Sequence, residues 1–218
     1  VHSDEFAQVS AAARGLYALE TMLYDPAFND YPPDSYSCSL VSTMAHDLAA
    51  QARALDTAWR TDFAPALRSA GAPGNARFLA PAEAERALFT QVHGGVEFNA
   101  DQRLGLPLGT PDRPRPARAE TWRAGRSLRN VTLSMAALHE MATALADGPD
   151  ATLDAAFAAA EYFAIGIADP AFQDIADPQA RLRLESLQGR IRAVGEALIT
   201  RIGEAMGVAP GFNSLDGD

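Results

Sequence analysis

A phenol and a carboxylate three residues apart, Tyr17 and Glu20, form the first pair in this chain able to do chemistry. On a helix the two share a face. Together they offer hard oxygen donors of the kind that suit ferric iron, calcium or magnesium. Gly15 stands two residues earlier and leaves room for a neighbouring helix or a ligand to come close. The same spacing also fits a buried tyrosine hydrogen-bonded to a glutamate, with no ligand. A second pair, His93 and Glu97, has the four-residue spacing of a two-donor metal site, but Gly94-Gly95 lies between them and a kink or break is expected there. In the segment from Glu120 to Asn130, arginines recur every third residue at Arg123, Arg126 and Arg129, while Ser127 and Asn130 add hydrogen-bonding groups. Arg126 can form a bidentate pair with a carboxylate, for which Glu20 and Asp216 are the expected partners. Trp122 can stack on an arginine or fill a junction between lobes. The bland reading is a basic helix start beside a core tryptophan. The chain closes on Pro210-Gly211-Phe212-Asn213-Ser214-Leu215-Asp216-Gly217-Asp218, a run suited to a tail that turns tightly and bonds its own backbone. Asn213, Ser214 and Asp216 are its candidate ligand-contacting residues, and Phe212 and Leu215 could pin it to the body. A frayed acidic terminus is the alternative.

Other chemistries lack their signatures. His139-Glu140 has no second histidine four residues on, so the zinc-protease helix His-Glu-x-x-His is not met. No Gly-x-Ser-x-Gly elbow and no glycine-rich phosphate loop occur. His46-Asp47 reads as solvent-facing, and His2 belongs to the terminus. The net charge of −10 disfavours nucleic acid and anionic membranes as partners, since both need basic patches. All 18 basic residues are arginines, which fits a GC-rich coding bias. The single cysteine, Cys38, excludes an intrachain disulfide and a cysteine-based zinc site, and its apolar setting suggests a buried, inert thiol. No stretch is long and apolar enough to span a membrane, and no signal peptide is visible. Because the chain opens on Val1, it reads as a processed or clipped product.

Helical periodicity dominates and must position these groups. Apolar residues at Val41, Met44, Leu48, Ala52, Leu55 and Trp59 alternate steps of three and four, the pattern of a bundle seam. The rhythm recurs in Val131, Met135, Leu138, Ala142 and Leu145, and in Leu184, Leu187, Ile191, Val194, Leu198, Ile202 and Met206. A wider apolar arc at Leu153, Phe157, Ala160, Ala164 and Ile167 predicts a more central helix. Two further helices are expected near Glu5–Tyr24 and Pro81–Leu104. Asp34 or Ser35, Asp150 or Thr152, and Asp177 are placed to cap helix starts. The prolines at 107, 111, 114 and 116 mark residues 105–119 as a packed, proline-rich loop. Convincing strands are absent, so the expected fold is all-α: an antiparallel bundle of about six helices.

Three blocks resemble the imelysin family of bacterial envelope proteins. Gly15-Leu16-Tyr17-Ala18-Leu19-Glu20 is similar to that family's Gly-x-His-x-x-Glu segment. Glu120-Thr121-Trp122-Arg123-Ala124-Gly125-Arg126-Ser127-Leu128-Arg129-Asn130 resembles its central motif, and the closing Gly-Phe-Asn-Ser-Leu-Asp-Gly-Asp resembles its ending. The blocks stand in the family's order and the likeness covers nearly all of the chain. One departure matters: Tyr17 occupies the motif's histidine position, which makes a poor zinc site while leaving a Tyr/Glu pair able to hold ferric iron. The resemblance implies a C-terminal portion of a two-lobed protein, with a further N-terminal bundle segment as its partner and any lipid anchor outside this chain. It also implies a non-catalytic periplasmic or envelope protein that handles iron or a small ligand in bacterial iron acquisition. Its binding junction would combine Tyr17, Glu20, Arg126 and the tail. A metallopeptidase, after the activity for which the family is named, is the alternative, and a metal-free structural or receptor-type module is the third reading.

Overall fold

The expected start and stop signals set most of the helices. In the computed structural model, which describes residue 6 and residues 8–207, the polypeptide is all-α, and among the described residues there is no β-strand. Six main helices follow one another: α1 Gly15–Tyr24, α2 Tyr36–Ala58, α3 Pro81–Glu97, α4 Ser127–Leu145, α5 Ala151–Ile165 and α6 Pro178–Leu198. Ser35 caps α2 by accepting from the Cys38 amide at 3.2 Å. Asp150 caps α5 through the amides of Thr152 and Leu153, and Asp177 caps α6 through those of Gln179 and Ala180. Pro81 occupies the first turn of α3, where its missing N–H costs nothing.

The chain divides into two compact units, Val1–Phe78 and Leu79–Asp218. In the first, α1 packs on α2. Of the helix expected near residues 5–24, the described residues show α1 from Gly15, preceded by a short 3₁₀ turn at Ala11–Ala13. Gly15 has φ +85°, a left-handed conformation that stops the preceding turn from running into α1. A Cβ at this position would meet no described atom within 4 Å, so among the described residues it is the backbone angle that calls for glycine here. Met44 is buried in α2, but the seam fails beyond Leu48: Leu55 is 73% exposed and Trp59 48%. The reason is length. The ten residues of α1 span about 15 Å, while the 23 of α2 run about 35 Å and pass beyond them. Further on, α2 passes through a π-helical turn, Trp59–Phe63, into Ala64–Arg68, where Phe63 lies tilted against Trp59 and edge-on to Phe78, and Arg77 lies over Phe63 at 4.5 Å. Cys38 is half-buried, not fully enclosed.

In the second unit, α3, α4, α5 and α6 close a four-helix bundle in which each packs on the next and α6 returns to α3. The expected seams form its core: Val131, Met135, Leu138 and Ala142 of α4, Leu153, Phe157, Ala160 and Ala164 of α5, and Leu184, Leu187, Ile191, Val194 and Leu198 of α6 are all buried. Each large side chain so enclosed contributes about 1.5–3 kcal/mol. No kink occurs at Gly94-Gly95; α3 continues unbroken to Glu97. The glycine serves packing there, since a Cβ on Gly95 would stand 2.7 Å from a Leu138 methyl of α4. Past Glu97 the helix widens into a π-helical stretch, Phe98–Gly105, and a last turn, Leu106–Leu108, that takes in Pro107 before the proline-rich loop runs on. Among the described residues, no helix is long and apolar enough to cross a membrane.

Candidate functional site

Helix α1 inverts the usual rule of burial. Leu16, Tyr17, Leu23 and Tyr24 are all exposed, and the one buried residue of the helix is Glu20, at 7% exposure. Enclosing a carboxylate costs several kcal/mol unless other groups compensate it, and here the carboxylate is the enclosed group while Leu16 and Leu23 face solvent. Tyr17 stands one turn before it and is 54% exposed. The two therefore sit on one side of α1, the carboxylate inside and the phenol at the edge.

The entry to α1 is fixed by a pair that sequence reading missed. The Arg14 guanidinium donates to both Asp47 oxygens of α2, at 2.8 and 3.1 Å from Nη2 and 3.2 Å from Nε, and Gln51 adds a donor at 2.7 Å. These hydrogen bonds from Arg14 hold the Asp47 carboxyl below the ordinary range. Asp47 is thus not simply solvent-facing: it locks the turn that presents Gly15, Tyr17 and Glu20. Nothing local in the sequence marks a pair 33 residues apart.

In the second unit, the segment around Trp122 is built into a polar network on α3. Arg103 donates from Nε to Glu120 Oε2 at 2.6 Å and from Nη1 to Asn99 Oδ1 at 3.0 Å. Asn130 Nδ2 donates to Glu120 Oε2 at 3.2 Å and to Thr121 Oγ1 at 2.9 Å. Asn99, fully buried, donates to the Gly95 carbonyl and to Ser134 Oγ, both at 2.8 Å. Arg123 stacks over the Trp122 ring at 4.6 Å, and the buried Trp122 Nε1 has no hydrogen-bond partner among the described residues. Ser127, also buried, donates to the Ala171 carbonyl at 3.3 Å and so ties the start of α4 to the loop before α6. Glu120, Asn130 and Ser127 therefore shape the turn, while Arg126 is exposed and makes no ion pair with a described residue of its unit. Glu20 belongs to the first unit and Arg126 to the second, and Asn213, Ser214 and Asp216 lie outside the described residues.

His93 and Glu97 do share a face of the unbroken α3, with Nδ1 and Oε2 3.5 Å apart. The imidazole is buried and stacks near Phe89, at 6.1 Å between ring centres. Burial lowers its pKa from the ordinary histidine value, and Glu97 offsets part of that. A histidine whose folded-state pKa is depressed takes up its proton more readily when unfolded. Stability should therefore fall as pH drops below about 6.5, the unfolded value. Urea midpoints at pH 7.5 and 5.5 should fall more steeply for the wild type than for His93→Gln; equal slopes would mean that His93 does not titrate across this range. Elsewhere, His139 pairs with Asp154 across α4 and α5 at 2.7 Å and stacks on Phe157 at 4.4 Å. Among the described residues, no group of three or more His, Cys, Asp and Glu side chains could hold a metal ion.

An all-α chain of this pattern, with its Gly15-x-Tyr17-x-x-Glu20 segment on α1 and its Glu120–Asn130 segment in a shaped turn, can be set against known families. The profile of the imelysin family, which is classed as a peptidase family, matches residues 1–198. The chain belongs to the imelysin family. Comparison with curated proteins and with solved structures found no match. Of the three blocks that carry the resemblance, the matched residues span the first two.

Proposed function

We propose that this imelysin-family chain is a non-hydrolytic binding protein of the bacterial periplasm, one that holds a hard cation or a small ligand at the Glu20 face of α1 in the course of iron acquisition. The observation that carries the reading is the burial of Glu20 in a helix whose Leu16 and Leu23 are exposed. A carboxylate with a phenol one turn away is an oxygen-donor set, suited to ferric iron and ill-suited to zinc, which favours histidine and cysteine. Among the described residues, Glu20 and Tyr17 supply only part of an oxygen-donor set, and the ligand itself would supply the rest. Hydrolysis draws no comparable support: catalytic zinc needs about three protein donors and an open position for water, and the motif's histidine is replaced by Tyr17.

The test is a calorimetric scan of the purified chain against ferric and ferrous iron, zinc and calcium, with Glu20→Gln alongside. Iron is expected to bind, and Glu20→Gln to weaken it by about 100-fold or more. The isosteric amide should leave the melting temperature nearly unchanged. Absence of iron binding in the wild type would remove the metal reading. A large fall in melting temperature with unaltered binding would make Glu20 a structural residue and favour a metal-free interaction module.

A further inference from the structure

Helices α4 and α5 pack side by side in the C-terminal bundle. Between these helices lies a cleft of about 640 Å³ that reaches across to Leu187 of α6. That volume is in the range of small-molecule sites, which often form between the helices of a bundle. Its floor is apolar and buried, made by Val131 and Met135 of α4, Phe157 and Ala160 of α5, and Leu187. The alanines keep it open: Ala136 and Ala158 line the walls where longer side chains would close it. The cleft is polar at its ends. At one end His139 and Asp154 are paired at 2.7 Å, His139 lies flat on Phe157, and Glu140 lines the same end. Arg129 lies 11 residues before Glu140, about 17 Å along α4, and lines the other end together with Glu161. The charges are therefore unequal, with two carboxylates at the histidine end and a balanced pair at the far end.

We propose that this cleft binds a small organic cation, an alkyl or aromatic body bearing one ammonium group. The body lies over Met135, Phe157 and Leu187, and the ammonium sits against the Asp154 and Glu140 carboxylates. An anion of the same shape would meet those carboxylates, and a neutral analogue would leave their charge unused. The geometry thus predicts an order of affinity as well as a site. The site depends on residues of the C-terminal unit alone and stands independently of the α1 reading.

Three probes of one shape test it on the full chain by calorimetry and by NMR shift mapping: 2-phenylethylammonium, 2-phenylethanol and 3-phenylpropionate. The ammonium is expected to bind with an affinity about tenfold or more above that of the alcohol, and the carboxylate more weakly still. Asp154→Asn combined with Glu140→Gln should bring the ammonium down to the level of the alcohol. Ala158→Phe, at an exposed wall position, should block all three probes while circular dichroism shows the helices intact. Equal affinities for the three probes, no binding of the ammonium, or ammonium binding that survives Ala158→Phe would each overturn the proposal.

Discussion

Arg103→Ala should lower the stability of the C-terminal unit by about 2–3 kcal/mol, the largest loss expected from any single polar residue here. The guanidinium serves four groups at once: Glu120 through Nε at 2.6 Å, the buried Asn99 and the Asn130 carbonyl through Nη1 at 3.0 and 3.5 Å, and the Phe98 ring beneath it at 5.2 Å. Breaking a fully buried pair costs about 3–5 kcal/mol, and an exposed one contributes about 0–1. With side-chain exposures of 20% and 16%, the Arg103–Glu120 pair stands nearer the buried limit, yet enough water reaches it to reduce the cost. The midpoint of thermal unfolding should fall by about 5–10 °C. Trp122 fluorescence in a Trp59→Phe background reports this unit alone, because the chain has only these two tryptophans. A double-mutant cycle with Glu120→Gln should give a coupling of about 1 kcal/mol or more, against almost none for the exposed Arg60–Asp56 pair. A shift below about 0.5 kcal/mol for Arg103→Ala would show that the network is decoration on an already formed turn.

Which parts could be read from the sequence follows from which signals are local. The α4, α5 and α6 seams repeat every three or four residues, and burial of one member implies burial of the next, so Val131 to Ala142 and Leu184 to Leu198 lie where the pattern put them. Caps at Ser35, Asp150 and Asp177 are equally local, each a side chain meeting an amide two or three residues on. Periodicity says which side of a helix seeks a partner but not how far the partner extends. That is why Leu55 and Trp59 are exposed beyond the end of α1. The pairs that fix the candidate sites are non-local and carry no period: Arg14 with Asp47, Arg103 with Glu120 and His139 with Asp154 are 33, 17 and 15 residues apart. Spacing placed Tyr17 and Glu20 on one face; only the packing shows that the glutamate is the enclosed member. Likewise, two adjacent glycines signal either a break or a close contact, and only the position of Leu138 decides for contact at Gly95.

At Phe172 the customary ranking of alanine above glycine should reverse. The residue is 1% exposed and adopts φ +61°, a left-handed conformation unusual for a bulky side chain. It is held there by the loop between α5 and α6, where Asp169 accepts from the amides of Ala171, Gln173 and Asp174. Phe172→Ala removes a fully buried ring and should cost about 3–5 kcal/mol, while keeping the Cβ that the left-handed region penalises. Phe172→Gly loses the same ring but relieves a backbone penalty of about 1–2 kcal/mol. The greater freedom of glycine in the unfolded chain returns about 0.4–1 kcal/mol of that gain. The balance leaves Phe172→Gly as stable as Phe172→Ala or more stable by up to about 1.5 kcal/mol, whereas within a helix glycine would be worse by about 1 kcal/mol. Urea midpoints of the two variants, read by Trp122 fluorescence in the Trp59→Phe background, decide between these cases. If glycine proves the more damaging of the two by 0.5 kcal/mol or so, the left-handed angle carries no strain and burial of the ring alone explains the site.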